Sequence, residues 1–118
     1  MTIYKLLWGL ACVVSISIGQ ILFKLASRRI VFNDYSQFIS DLIQNYYLII
    51  GLLLYALTTM LWVGLLRIVD LRYAYPIMAL AFVIVPILAK YFLGEELKFS
   101  SVLGGLIIVA GVCVSVRY

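Results

Sequence analysis

An all-α membrane protein, a bundle of four transmembrane helices, is the fold this sequence predicts, and three observations predict it. Of its 118 residues 66% are hydrophobic and only 12% charged, against roughly half and a quarter in an ordinary soluble domain. A mean hydropathy of +1.17 cannot be hidden in one small core, because a chain this short keeps much of its surface outside. The charges are also spaced so that uncharged runs extend over Leu6 to Phe23, Leu42 to Leu66, Tyr73 to Ala89 and Phe99 to Val116. At about 1.5 Å per residue, roughly 18 helical residues cover about 27 Å, and with interfacial flanks they cross the hydrocarbon layer of about 30 Å. Helix is required: too few residues remain to close a β-barrel, and an open strand leaves unpaired amides in lipid. The chain reads as one domain, 1–118, with transmembrane helices near 4–26, 46–67, 72–92 and 100–117.

The first span follows Lys5. Its apolar stretch is longer than a leader's and no A-x-A site precedes Ser27, which favours a retained helix over a cleaved signal peptide. Ser17, Gln20 and Lys24 fall at i, i+3 and i+7, a polar stripe that ends in a cation, while Trp8, Cys12, Ser15 and Gly19 form a second stripe suited to tight packing. An amide in hydrocarbon costs several kcal/mol unless bonded. Gln20 therefore faces protein or a wet cavity, as a substrate-binding group or as an interhelical hydrogen bond. Lys24 either snorkels to the head groups or pairs with a substrate anion.

Tyr35, Phe38, Ile39, Leu42 and Ile43 recur at helical spacing, with Asp34 placed to cap. The pattern predicts a short interfacial helix between the first two spans; an early start of the second span has the same periodicity. In the second span Tyr55, Thr58, Thr59 and Trp62 share a face and wall a polar cleft or pack against a neighbour. The third span carries Tyr75 and Pro76 near its start and Pro86 deeper in. Proline at 86 removes a donor and frees the carbonyl of Phe82, so a kink is expected there, and Pro76 and Pro86 are candidate hinges. The fourth span is interrupted by Gly104, Gly105 and Gly111, with Gly104 and Gly111 on nearly one face. They are a candidate dimer contact, or else pack within the chain.

Several functions lose their usual residues. There is no His, Cys12 and Cys113 lie far apart, and no CxxC or HExxH spacing occurs, so no metal and no cofactor are expected. Cys12 and Cys113 read as small apolar fillers. A net charge of +4 with no basic tract argues against nucleic acid and suits contact with anionic lipid. No Asp or Glu falls within the four uncharged runs, whereas a cation exporter that exchanges substrate for a proton needs an embedded carboxylate. Four close-packed helices leave little interior for a substrate, so a dimer is expected. Orientation is weakly specified: Lys5, Arg67, Arg72 and Arg117 share one side and face Lys24, Arg28, Arg29, Lys90 and Lys98. The positive-inside rule finds too small an asymmetry here, so a partner fixes the topology or the chain inserts both ways.

The stretches Ile18-Gly19-Gln20-Ile21-Leu22-Phe23-Lys24, Tyr73-Ala74-Tyr75-Pro76-Ile77-Met78 and Gly94-Glu95-Glu96-Leu97, with Gly104 and Gly111 after them, resemble the small multidrug resistance proteins and their drug/metabolite transporter relatives. The likeness covers nearly the whole chain. Within that superfamily it is most similar to the paired flippase subunits of ArnE and ArnF type, implicated in moving undecaprenyl-phosphate-linked aminoarabinose across the bacterial inner membrane. Aligned on the glycine and lysine of the first helix, the exporters' essential glutamate falls at Ile16, so the resemblance carries dimerisation better than proton exchange. Tyr75 matches the exporters' aromatic third-helix wall, with Met78 where a tryptophan is common.

The resemblance implies a non-enzymatic subunit that flips a lipid-linked sugar as a homodimer or as a heterodimer with a second four-helix chain. Ser17, Gln20, Tyr75 and the carbonyl of Phe82 would accompany the sugar, and Lys24 with Arg67, Arg72 or Lys90 would meet the phosphate. Alternatives are export of cationic compounds or polyamines, and a scaffold subunit for a membrane glycosyltransferase.

Overall fold

The structure, a computed structural model, describes residues 3–30 and 35–117; Asp34, expected as a cap, lies outside them. Every regular element among the described residues is helical: α1 (Ile3–Ser27), α2 (Tyr35–Gln44), α3 (Tyr46–Leu66), α4 (Leu71–Met78), α5 (Ala81–Leu93) and α6 (Phe99–Arg117). Four spans are long and apolar enough to cross a membrane, namely Ile3–Ser27, Tyr46–Leu66, Leu71–Leu93 and Phe99–Val116, of 25, 21, 23 and 18 residues. At about 1.5 Å per residue they measure roughly 27 to 37 Å. The four-helix membrane bundle is the observed fold.

The third span is not one regular helix. Between α4 and α5, Ala79 and Leu80 adopt φ near −63° and −62° with ψ at −19°. The carbonyls of Pro76, Ile77, Ala79 and Leu80 accept i+3 bonds of 3.0 to 3.1 Å. This is a tightened turn of 3₁₀ character. Regular α geometry thus lapses between the two prolines, with Pro76 inside α4 and Pro86 inside α5. Gly94, at φ 71°, ends α5 in the left-handed conformation that glycine adopts without a Cβ penalty.

α1 is the axis. It packs most extensively on α3, then on α5 and α4, while α6 packs on α4 and α5. A third of the apolar window of α1 (33%) is buried, against 17% for α3 and 11% for each remaining span. In lipid no hydrophobic force drives helices together, so close backbone approach must supply the contact energy. At Gly51 of α3 an added Cβ would lie 2.9 Å from the Phe23 ring, so glycine lets α3 cross α1 there. The stripe of Trp8, Cys12 and Gly19 serves the same seam: Cys12 is fully buried, Trp8 packs beside Gly64, and Gly19 meets Tyr55. A core of Leu65, Val69 and Ala74, flanked by Trp8, Trp62, Leu66 and Tyr73, closes the end near the N-terminus.

Buried polar groups are satisfied within the bundle. Asn45 is buried; its side-chain oxygen accepts from the Leu48 N–H at 3.2 Å, and its amide donates to the Ala26 carbonyl at 2.9 Å. One side chain thereby caps α3 and ties it to the end of α1. The Trp8 indole N–H donates to the Leu61 carbonyl at 3.0 Å. α2 forms where the amphipathic pattern predicted it, packs only marginally on the other helices, and leaves Ile39 and Ile43 exposed.

Candidate functional site

A lateral groove of about 340 Å³ opens between α1 and α5, lined by Ile16, Gln20, Ala81, Phe82, Val85 and Pro86. α1 supplies Ile16 and Gln20 because residues four apart lie one above the other on a helix. α5 supplies Phe82 and Pro86 for the same reason, and the proline leaves the Phe82 carbonyl without its usual intrahelical donor. Gln20 is exposed, and its side chain has no hydrogen-bond partner among the described residues. The groove is thus an apolar trough carrying one free amide, that of Gln20. This neutral dipole accepts and donates hydrogen bonds without carrying charge into lipid.

Toward the end of α1 a neighbouring apolar groove continues between the same helices, lined by Ile18, Ile21, Leu22, Leu25, Leu88 and Phe92. Cations stand at that end of the bundle. Arg28 reaches the Leu93 carbonyl at 3.4 Å, the Arg29 guanidinium lies 4.7 Å from the Tyr47 ring centre, and the Lys90 ammonium 5.8 Å from that of Tyr91. The Lys24 ammonium is exposed and has no partner among the described residues.

The sequence-predicted residues divide. Gln20 lies in the groove. Ser17 does not: it is fully buried, and its hydroxyl donates to the Val13 carbonyl at 2.7 Å, a bond to the preceding turn of its own helix. Tyr75 stands 69% exposed on the outer face of α4, seven residues and roughly 10 Å along the span from Phe82. Thr58 and Thr59 donate to the Leu54 and Tyr55 carbonyls at 2.8 Å. The Tyr55 ring tilts against Phe23 with centroids 5.9 Å apart and Thr58 is buried, so this face of α3 packs in part on α1, while Tyr55 and Thr59 keep exposed surface. Gly105 faces Val83, whose nearest atom lies 3.5 Å from an added Cβ, whereas nothing lies within 4 Å of one at Gly104 or Gly111.

Ile16 is the groove residue that a direct reading of polar positions passed over. Its signal came only through the resemblance, which puts the exporters' glutamate at this position; the structure sets Ile16 beside Gln20. No Asp or Glu occurs in any of the four spans, and no cluster of metal-ligating side chains occurs among the described residues.

Four apolar helices around a lateral groove define a multi-pass membrane protein. Residues 9–117 match the EamA-like transporter family, and the chain belongs to that family. It is 33% identical, over 113 residues, to the probable 4-amino-4-deoxy-L-arabinose-phosphoundecaprenol flippase subunit ArnF of Erwinia tasmaniensis, an alignment covering 90% of this chain and 89% of the relative. No solved structure matches the chain significantly. The protein is a membrane transporter subunit of ArnF-like, drug/metabolite transporter type.

Proposed function

We propose that the chain is one subunit of a flippase that carries a polyprenyl-phosphate-linked sugar such as aminoarabinose across the bacterial inner membrane, paired with a second copy or a second four-helix chain. The costly parts of such a substrate are the sugar hydroxyls and the phosphate, since the prenyl chain stays in lipid. The observation that carries the reading is the unpartnered Gln20 amide in a groove open to the bilayer and free of carboxylates. There a sugar exchanges water for the Gln20 amide and the Phe82 carbonyl, while the prenyl chain remains outside. The phosphate is met at the membrane boundary by Lys24, whose ammonium has no partner among the described residues. The relative, whose name specifies a phosphoundecaprenol-linked amino sugar, supports this substrate class.

Ser17 is absent from this account because its hydroxyl is already bonded inside the bundle. Tyr75 serves at most as an outer guide on the same stripe as Phe82. The test replaces Gln20 and Lys24 singly with Leu in cells and measures lipid-linked sugar on the outer leaflet. Each variant is expected to lower it about tenfold or more, the loss of one well-placed polar contact. Undiminished sugar at normal protein level removes the groove from the mechanism.

A further inference from the structure

The second groove between α1 and α5, of about 330 Å³, has six lining side chains and none of them is polar: Ile18, Ile21, Leu22 and Leu25 of α1, Leu88 and Phe92 of α5. At about 100° per residue, these α1 positions centre on the side of the helix away from Ile16 and Gln20. Neither of those two residues walls it. Along α1 it runs about 10 Å, from Ile18 to Leu25, and the exposed Ile18 and Phe92 leave it open to lipid.

A cation stands at its Leu25 end. The Arg28 N–H donates to the Lys24 carbonyl at 3.3 Å, so the helical turn carries on through Arg28. Arg28 therefore continues the stripe of Ile21 and Leu25, at i+7 and i+3 from them. Its guanidinium crosses to α5, where Nη2 donates to the Leu93 carbonyl at 3.4 Å, one residue past the groove's Phe92. A guanidinium has several N–H donors, and that of Arg28 makes no other bond and no ion pair among the described residues. Lys24, one turn earlier, makes none either. Glu95 and Glu96, exposed just past Gly94, pair with neither cation.

We propose that this face binds an anionic diacyl phospholipid, with its phosphate on Arg28 and one acyl chain along the groove. A lining without polar atoms takes hydrocarbon and rejects a sugar, and a cation at the membrane-boundary end selects a chain that ends in phosphate. The head that fits carries net negative charge. Arg28 and Lys24 meet no paired carboxylate here, so the ammonium of phosphatidylethanolamine would add a further cation, whereas phosphatidylglycerol brings its charge uncompensated. A lipid-borne sugar seated at Gln20 keeps its chain on the other side of α1, which leaves this groove to bulk phospholipid. The site stands whether or not the Gln20 groove carries a lipid-linked sugar.

The experiment places the full chain in phosphatidylcholine vesicles with a phosphatidylglycerol probe that bears a diazirine on one acyl chain, and maps the labelled peptides after illumination. Label is expected to concentrate on residues 18–25 and 88–92. Unlabelled phosphatidylglycerol should displace the probe about fivefold more effectively than phosphatidylethanolamine, the effect of one cation at a membrane surface. Arg28→Gln should lower labelling of these segments about fivefold, and Arg28→Lys should keep most of it. Ile18→Trp, which fills the groove, should abolish it. In the wild-type chain, label spread evenly over the other lipid-facing grooves overturns the site without appeal to any variant, as does an Arg28→Gln chain labelled like the wild type. Undecaprenyl phosphate displacing the probe better than phosphatidylglycerol gives the groove to the chain of a flipped lipid. Labelling that falls as the protein is concentrated at a fixed probe-to-protein ratio gives it to a second copy. Either result overturns the phospholipid assignment.

Discussion

Asn45 spends both ends of one amide, an acceptor on the first turn of α3 and a donor on the last turn of α1. Removing a cap costs about 1 kcal/mol, and losing the bond to the Ala26 carbonyl, which keeps the Arg29 N–H at 3.1 Å, costs about 0.5–1.5 kcal/mol more. Asn45→Ala should therefore destabilise the bundle by about 2 kcal/mol in a detergent unfolding titration, and Asn45→Asp, which keeps only the acceptor, should fall between. The sequence reading passed over Asn45 and placed a cap only at Asp34; the tie to Ala26 depends on how α1 and α3 are brought together. Gln20 stood out in the sequence because an amide in an apolar run is costly unless bonded, and the structure leaves it exposed in the groove with no partner among the described residues. Ser17 misled for the opposite reason: a hydroxyl, unlike an amide, satisfies its donor on its own helix. At Ile16, the groove neighbour of Gln20, introduced charge should be harmful. Ile16→Glu is expected to cut outer-leaflet lipid-linked sugar at least about tenfold, by repelling phosphate and demanding desolvation of a carboxylate, while Ile16→Leu leaves it near wild type.

The third span shows how far a hydrophobic run defines an element. Its length and lack of charge predict a crossing, and its prolines predict irregularity, yet the lapse at Ala79 and Leu80 carries no residue signal, because 3₁₀ and α turns differ only modestly in ψ. Pro86 still acts locally by withholding a donor from Phe82. Pro86→Ala should supply that N–H and close the bond, lowering the amide I frequency of a ¹³C-labelled Phe82 carbonyl in isotope-edited infrared spectra; an unchanged band means the carbonyl already has a partner. We expect the same variant to slow translocation, because the groove loses an acceptor and the helix a point of compliance. The helical character of α2 was legible from its period, but its separation from α3 at Asn45 was not, since an early start of the second span has the same periodicity.

At the scale of the molecule the bundle leaves most of its apolar surface outward, and α6 is as little enclosed as the third span, with Leu106, Ile107 and Val114 more than half exposed. Gly104 and Gly111 are open toward that flank and Gly105 is closed against Val83, a division the glycine spacing alone could not make. Gly104→Leu and Gly111→Leu are expected to lower energy transfer between labelled copies in vesicles while leaving helicity intact, whereas Gly105→Leu should disturb packing within the chain. An effect of the same kind from all three would place the pairing surface elsewhere. The wider claim is that this subunit moves a lipid-borne polar head along neutral dipoles between boundary cations, without trading substrate for protons. The most direct measurement places the chain, with its partner subunit, in sealed vesicles and follows both lipid-linked sugar crossing and internal pH. Crossing that depends on Gln20 and continues without proton flux when an amphipathic cation is added is the predicted result; cation-driven proton movement, with sugar crossing indifferent to Gln20, contradicts it.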